Sequence, residues 1–491
     1  MTKDTEIEKI DTNVITELIV ESNDEDIAAK YQGGFNEDDY IDVPPDGGFT
    51  AWLCCFAVSW MNFATWGANA SFSIFLNFYL TNDVFSNATS TDYAMIGGLV
   101  GFFTWILLPL VSIILLKFGY KFTIGLGILI QLAGYFGAAY AKNIHELYFT
   151  QGFLIGTSMS FTCASNLIVL PSWFLKKRAV ANGFTHFGLG AGGAIYALIV
   201  NELIEKTHHQ KWALITVGLI STFICLVCMF LVKVRVPKNA TITKDNKSIS
   251  VVLKSIFDYK VWLSIPLQLV SFWAVACQLS YTILLLSLSN YATSLGFTKN
   301  QATIISVVFN IGQAFGRPMI GLFSEIIGRI NFTIFCTVYS VIMVFAIWIN
   351  IEKYYSLIIF SLFLGLFAGI ASVNIVPLVV DIVGLDKYPS GLSYAQPLAA
   401  ISGLIAEIIG LSLRDYSLKN PYFRCQILVG CAYAAAVLIL LPFREWKIKR
   451  MLYQLKSSKL LDTNTRQKYN ELYEEENLWG YLKRTFYWQK V

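Results

Sequence analysis

Twelve apolar stretches, each of at least 20 residues, run through this chain and constrain its fold more than any other feature. They fall at 50–80, 93–116, 122–141, 147–174, 180–203 and 212–234 and, after a polar break, at 261–290, 301–327, 331–350, 356–384, 393–413 and 424–443. A helix needs about 20 apolar residues to cross a bilayer. In hydrocarbon every backbone N–H and C=O must be bonded internally, which a helix achieves within one segment. The reading is an all-α membrane protein with twelve transmembrane helices in two six-helix halves. Composition agrees, since 55% of the 491 residues are hydrophobic and only 14% charged, far from ordinary soluble domains.

The remaining chain divides around these halves. Residues 1–46 are acidic, with Asp24, Glu25, Asp26, Glu37, Asp38 and Asp39 and few large apolar side chains, so they are expected to form a disordered cytosolic tail. The N-terminal half is 47–234, the connection 235–260 and the C-terminal half 261–443. The connection is polar and basic and ends in VVLKSIFDYK, which reads as a short amphipathic piece on the membrane surface. Residues 444–491 mix basic and aromatic residues and end LWGYLKRTFYWQKV. That pattern suits the anionic inner leaflet, and a partly disordered tail is the alternative. No apolar h-region follows Met1, so the first membrane helix is expected to direct insertion.

Short loops rich in Lys and Arg stay in the cytosol. Lys117, Lys121, Lys176, Lys177, Arg178, Lys233 to Lys260, Arg329, Lys387 and the run from Arg444 to Arg450 all fall on one side. Both termini are therefore expected in the cytosol, with the plasma membrane preferred over the vacuolar one. In this topology the sequon at Asn87 is external, those at Asn239, Asn246 and Asn331 are cytosolic, and that at Asn69 lies within the first helix. Asn87 is the glycosylation candidate. The net charge of +4 hides an acidic N-terminal tail and basic residues gathered in particular loops, so the bilayer, not nucleic acid, is the expected partner. All nine cysteines lie in or beside apolar segments. Cys225 and Cys228 form a CxxC inside a helix with no histidine cluster nearby, which reads as packing, so neither a metal nor another cofactor is expected.

Arg317 stands out within QATIISVVFNIGQAFGRPMIGLFSEII, ten residues from the inner end of its segment and so, at ~1.5 Å per residue, near the bilayer midplane. A charge there costs at least ~2.5 kcal/mol in lipid and by default marks a substrate or ion pathway. Its planar fork suits a carboxylate. The alternative is a structural arginine tied to backbone carbonyls. In the first segment Ser59, Asn62, Trp66, Asn69 and Ser73 recur at steps of three and four, so they share one helical face that either lines an aqueous cavity or bonds to a neighbouring helix. Asn166, Gln278, Tyr281 and Asn374 extend this set of candidate substrate contacts. His186 reads as a packing histidine or a pH-sensitive contact. Glu407 sits well inside the eleventh segment, ~6 Å along the axis from the level of Arg317, and is the candidate for proton coupling. The glycines of GFLIGTS and GFTHFGLGAGG read as sites of close helix approach. Convergent carboxylates, histidines or a nucleophile with its base are missing, so an enzyme is not expected.

The stretch VPPDGGFTAW resembles the first-helix signature of the monocarboxylate porter family of the major facilitator superfamily. WFLKKRAVANGFTHFGLGAGG, GRPMIGLFSEIIGR and VVDIVGLDKYPSGLSYAQPL are similar to that family's later connections, and ATWGANASFSIF resembles its fungal branch. The resemblance covers about residues 43–443. It implies the major facilitator fold, with each half an inverted pair of three-helix repeats and substrate near the midplane, and it implies that Arg317 is the substrate-binding arginine. Two positions depart from the family's animal porters. Gln313 stands where they have an aspartate, and Asn69 and Ala70 stand near where they have a lysine; both groups are tied to proton coupling. The expected function is a secondary transporter that moves a small organic anion by alternating access, with protons as a candidate co-substrate. The alternatives are a facilitator for a neutral or heterocyclic metabolite such as a vitamin, and a non-transporting sensor on the same fold.

Overall fold

The computed structural model describes residues 45–82, 84–85, 88–174, 177–234, 249–415, 417–418, 420–457, 472–475 and 477–487. The acidic tail, Asn87 and the side chain of Glu407 lie outside the described residues. Among the described residues the chain is helical and contains no strand. Residues 44–236 and 242–443 form one compact unit, and the C-terminal residues from Arg444 belong to a second.

Twelve helical spans follow the apolar stretches. They are α1 (49–82), α2 (90–118), α3 (Tyr120–Ala139), α4 (144–173), α5 (Arg178–Thr207), α6 (Gln210–Leu231), α7 (Ile265–Ser294), α8 (Lys299–Ile327), α9 (Arg329–Asn350), α10 (Tyr354–Gly384), α11 (Lys387–Gly410) and α12 (Phe423–Ser457). Between α6 and α7 the connection carries the helix Ile249–Ile256 where a short amphipathic piece was expected.

Several spans are interrupted, each for a local reason. α2 bends by 46° between its pieces Thr91–Ile106 and Leu108–Phe118, where Pro109 lacks an N–H and crowds the carbonyl four residues earlier. α1 and α4 each contain a π-helical stretch, Phe63–Gly67 and Tyr148–Leu154. The turn between α10 and α11 is made at Gly384, whose φ of 76° is open to glycine at little cost. α8 begins with a reciprocal cap: the Gln301 N–H donates to Thr298 Oγ1 (3.3 Å) and the Thr298 N–H to Gln301 Oε1 (2.9 Å).

The glycines of α5 let it lie directly on two neighbours. A Cβ on Gly188 would fall 1.8 Å from the Ser59 carbonyl oxygen of α1, and one on Gly190 would fall 2.3 Å from the Ala314 nitrogen of α8. The α5–α8 seam continues at Gly183 against the Arg317 carbonyl and at Gly321 against that of Ala179. Small residues thus bring backbones of the two halves together at the level of Arg317.

Candidate substrate-binding site

The candidate residues separate into two groups. The first surrounds Arg317 on α8, which is 1% exposed. Its Nη2 donates to Gln313 Oε1 one turn earlier (2.5 Å) and lies 3.4 Å from the Tyr281 hydroxyl of α7. Tyr281 in turn donates to Gln313 Oε1 (2.9 Å), so the amide oxygen joins both groups. Gly369 of α10 leaves room for the guanidinium, because a Cβ there would lie 2.6 Å from Arg317 Nε. The remaining donors, Nε and Nη1, are buried with no hydrogen-bond partner among the described residues. The backbone-tied arginine weighed from the sequence does not occur here. Gln278, one turn before Tyr281 on α7, donates to Thr282 Oγ1 (3.1 Å).

The second group lines a cleft whose polar wall is Asn62, Asn166, Arg178, Asn182 and His186. Trp66 and Trp105 form its aromatic wall, stacked at 5.2 Å between centroids, and the Trp66 indole N–H donates to Cys163 Sγ (3.1 Å). Asn166 is buried, and neither its amide nitrogen nor its oxygen has a partner among the described residues; the same holds for Arg178 Nη2. The His186 ring donates from Nδ1 to the Asn182 carbonyl (2.9 Å). In the neutral ring this leaves Nε2 as an acceptor.

Three expectations are corrected. The polar residues of α1 do not form one face given over to a cavity: Ser59 Oγ donates to the Phe184 carbonyl (3.0 Å), and Asn62, which with Trp66 lines the cleft, also donates to that of Thr185 (2.9 Å), tying α1 to α5. The π-helical stretch after Asn62 adds a residue per turn, so Asn69 and Ser73 do not continue that stripe. Asn374 is fully buried and donates to Ser324 Oγ (3.0 Å) and Thr333 Oγ1 (2.8 Å), a set of bonds that joins α10 to α8 and α9 and leaves it no surface toward a ligand. Arg178, read only as a loop charge, is 3% exposed and faces the cleft.

The halves meet on both sides of this level. Toward the basic loops, the Ala179 N–H at the start of α5 donates to Glu325 Oε1 (3.1 Å), and Tyr388 donates to the Leu167 carbonyl (2.9 Å). Glu325 also pairs with Arg329 (2.9 Å), which pairs with Asp381 of α10 (2.7 Å). At the opposite end Asn201 of α5 bonds to Asn300 and Thr303 of α8, each at 3.2 Å. The two six-helix sets thus latch at either end of a buried polar layer.

Comparison with known sequences agrees with this geometry. The sequence pattern of the Major Facilitator Superfamily matches residues 51–281 and 269–450. The chain belongs to the Major Facilitator Superfamily. It is similar to the uncharacterized transporter ESBP6 of Saccharomyces cerevisiae, at 33% identity over 90% of this chain and 66% of that protein. It is also similar to the probable transporter MCH2 of the same yeast, at 33% identity over 79% of this chain and 81% of MCH2. The aspyridones efflux protein of Emericella nidulans is 25% identical over 77% of this chain and 74% of its own length. This superfamily member is thus a multi-pass membrane transporter and not an enzyme, and its residues are best read for what they would hold and release.

Proposed function

We propose that this transporter moves a small organic anion of the monocarboxylate type by alternating access, and that it falls in the monocarboxylate-porter-like branch of its superfamily. One observation carries the reading: Arg317 is buried at the centre of its span, Nε and Nη1 have no hydrogen-bond partner among the described residues, and neutral Gln313 and Tyr281 are its hydrogen-bonding neighbours. A buried guanidinium without a carboxylate is costly, and an arriving carboxylate would supply both the charge and an acceptor for one of these two donors. Gln278 and Asn69 are the neutral contacts proposed to flank it. The protein is proposed to lie in the plasma membrane with both termini cytosolic and, if glycosylated, to carry its glycan on Asn87.

Proton coupling is proposed to run through Glu407, because Gln313 cannot titrate where the porters it resembles carry an acid. A second reading rests on the cleft. The stacked Trp66 and Trp105 beside the unpartnered Asn166 amide suit the flat face and amide edge of a neutral heterocyclic metabolite, as a facilitator would recognise it. Uptake of radiolabelled carboxylates and vitamins into proteoliposomes separates these readings. Saturable uptake of a carboxylate, competed by other carboxylates, supports the anion carrier. Uptake of a neutral compound alone supports the facilitator, and a non-transporting sensor moves neither.

A further inference from the structure

The cleft beside α5 holds a charge that neither the anion carrier nor the facilitator uses. Arg178 is the first residue of α5 and is 3% exposed. Its Nε donates to the Phe174 carbonyl (3.3 Å), while Nη2 has no hydrogen-bond partner among the described residues. The acids at this helix start are engaged elsewhere: Glu325 accepts the Ala179 N–H (3.1 Å) and pairs with Arg329 (2.9 Å), and Asp46 accepts the Lys177 N–H (3.2 Å). Arg178 thus pairs with no acid among the described residues, a costly state for a buried guanidinium. Two further features of the same cleft point to a ligand. Asn166 of α4 is 7% exposed, and neither atom of its amide has a partner among the described residues, a desolvation cost that only an added partner removes. Trp66 and Trp105 form an indole wall, with Trp66 fixed by its bond to Cys163 Sγ (3.1 Å) and set in the π-helical stretch Phe63–Gly67, a backbone feature frequent at functional sites.

We infer that this cleft is a second anion site, separate from Arg317, and that it takes a heteroaromatic carboxylate. Arg317 is not among the residues that line it. Each group of the cleft answers one part of such a ligand. The carboxylate accepts from Arg178 Nη2 and supplies the missing charge. The flat ring lies on the indole wall. The ring heteroatom meets the Asn166 amide, which offers both a donor and an acceptor and so accommodates a bare ring nitrogen or a ring N–H. The inference rests on the facilitator reading only for the flat ring, to which it adds a negative charge, and it does not depend on an anion at Arg317.

The test is equilibrium binding of radiolabelled nicotinate to the purified full chain in lipid nanodiscs, with nicotinamide, benzoate and acetate as competitors. Nicotinate carries the acid, the ring and a ring nitrogen; nicotinamide lacks the charge, benzoate the nitrogen and acetate the ring. The wild-type protein should bind nicotinate ~10 to 10²-fold more tightly than nicotinamide, the range for one hydrogen bond to a charged group. Arg178→Gln should erase that preference, and Asn166→Ala should erase the preference for nicotinate over benzoate. Arg317→Ala separates the two sites, since nicotinate should still bind when Arg317 is gone. Gel filtration checks the fold of each variant, and the comparison of nicotinate with nicotinamide in the wild type needs no variant at all. No nicotinate binding, equal affinity for nicotinate and nicotinamide, or a preference that survives Arg178→Gln would each overturn the inference. Binding lost in Arg317→Ala but kept in Arg178→Gln would overturn it too, by placing the acid on Arg317.

Discussion

Arg317→Ala removes the donor that the anion reading assigns to substrate, and the expected loss follows from the site. Nη2 is already engaged by Gln313, and Nε and Nη1 open on different edges of the guanidinium, so one carboxylate takes one of them. A hydrogen bond to a charged partner is worth about 1.5 to 3 kcal/mol. That corresponds to a ~10 to 10²-fold weaker apparent affinity. Arg317→Lys keeps a charge but not the planar group that aims this bond. It forfeits the bond, for a loss of the same ~10 to 10²-fold order, and a desolvated lysine can also shed its proton. Lysine is therefore expected to be nearly as poor as alanine. The fold should survive either change, because the Tyr281 hydroxyl still donates to Gln313 Oε1. The assay is uptake, into proteoliposomes, of the carboxylate found in the screen, with gel filtration and thermal unfolding as checks on the protein. Arg317→Ala at wild-type uptake would refute the reasoning, and full rescue by lysine would reduce it to simple charge attraction.

The other predictions concern assembly, gating and coupling. Gly188→Ala should abolish a monodisperse preparation or cost well over ~1 to 3 kcal/mol of stability, since its Cβ would overlap the Ser59 carbonyl, whereas Gly101→Ala, with nothing within 4 Å, should be silent in the same thermal-unfolding measurement. Glu325→Gln weakens a mostly buried pairing by ~1 kcal/mol, which should raise labelling of the cleft residue Cys163 by a small thiol reagent about fivefold in a Cys431→Ser background; an unchanged rate would remove Glu325 from the gate. Glu407→Gln should abolish accumulation driven by a pH gradient while leaving downhill exchange measurable, and accumulation by this variant would show that the proton travels elsewhere.

Much of the architecture was legible because hydrocarbon leaves few solutions: a run of about 20 apolar residues must form a span, and each expected stretch is one. The site was less legible, for reasons specific to its residues. Hydropathy and i, i+3, i+4 spacing assume an unbroken α-helix, so the π-helical stretch at Phe63–Gly67 was invisible and the stripe from Ser59 to Ser73 was drawn too long. Asn374 and Asn166 look alike in sequence, each a polar residue inside an apolar run. Only the neighbours tell them apart: Ser324 and Thr333 satisfy the first, and nothing among the described residues satisfies the second. Arg178 was hidden by its company, since Lys176 and Lys177 beside it read as loop. The signal present was its place as the first residue of the apolar, glycine-rich run of α5. Arg317 stood out in the sequence because a lone charge at mid-span is costly in hydrocarbon.

Under the alternating access proposed above, the contacts between the halves set how the carrier would move and where its bias lies. Along α5 and α8 the halves meet through glycine, at Gly183, Gly190 and Gly321, a smooth seam about which one half can rock against the other. Directional bonds lie to either side of it. At one end Asn201, Asn300 and Thr303 make neutral hydrogen bonds, worth about 0.5 to 1.5 kcal/mol each. At the other, Glu325 accepts the Ala179 N–H as a carboxylate, a bond of about 1.5 to 3 kcal/mol, with Tyr388 to the Leu167 carbonyl beside it. The end nearer the basic loops is therefore the harder one to open in the empty carrier, and the difference sits largely in one carboxylate. Since Arg329 holds that carboxylate and is itself held by Asp381 of α10, any movement of α10 is felt at the latch. Gly369, which makes room for Arg317, lies on the same helix. An anion that settles on Arg317 and displaces α10 there would act on Glu325 through Asp381 and Arg329, which links occupancy of the site to release of that end.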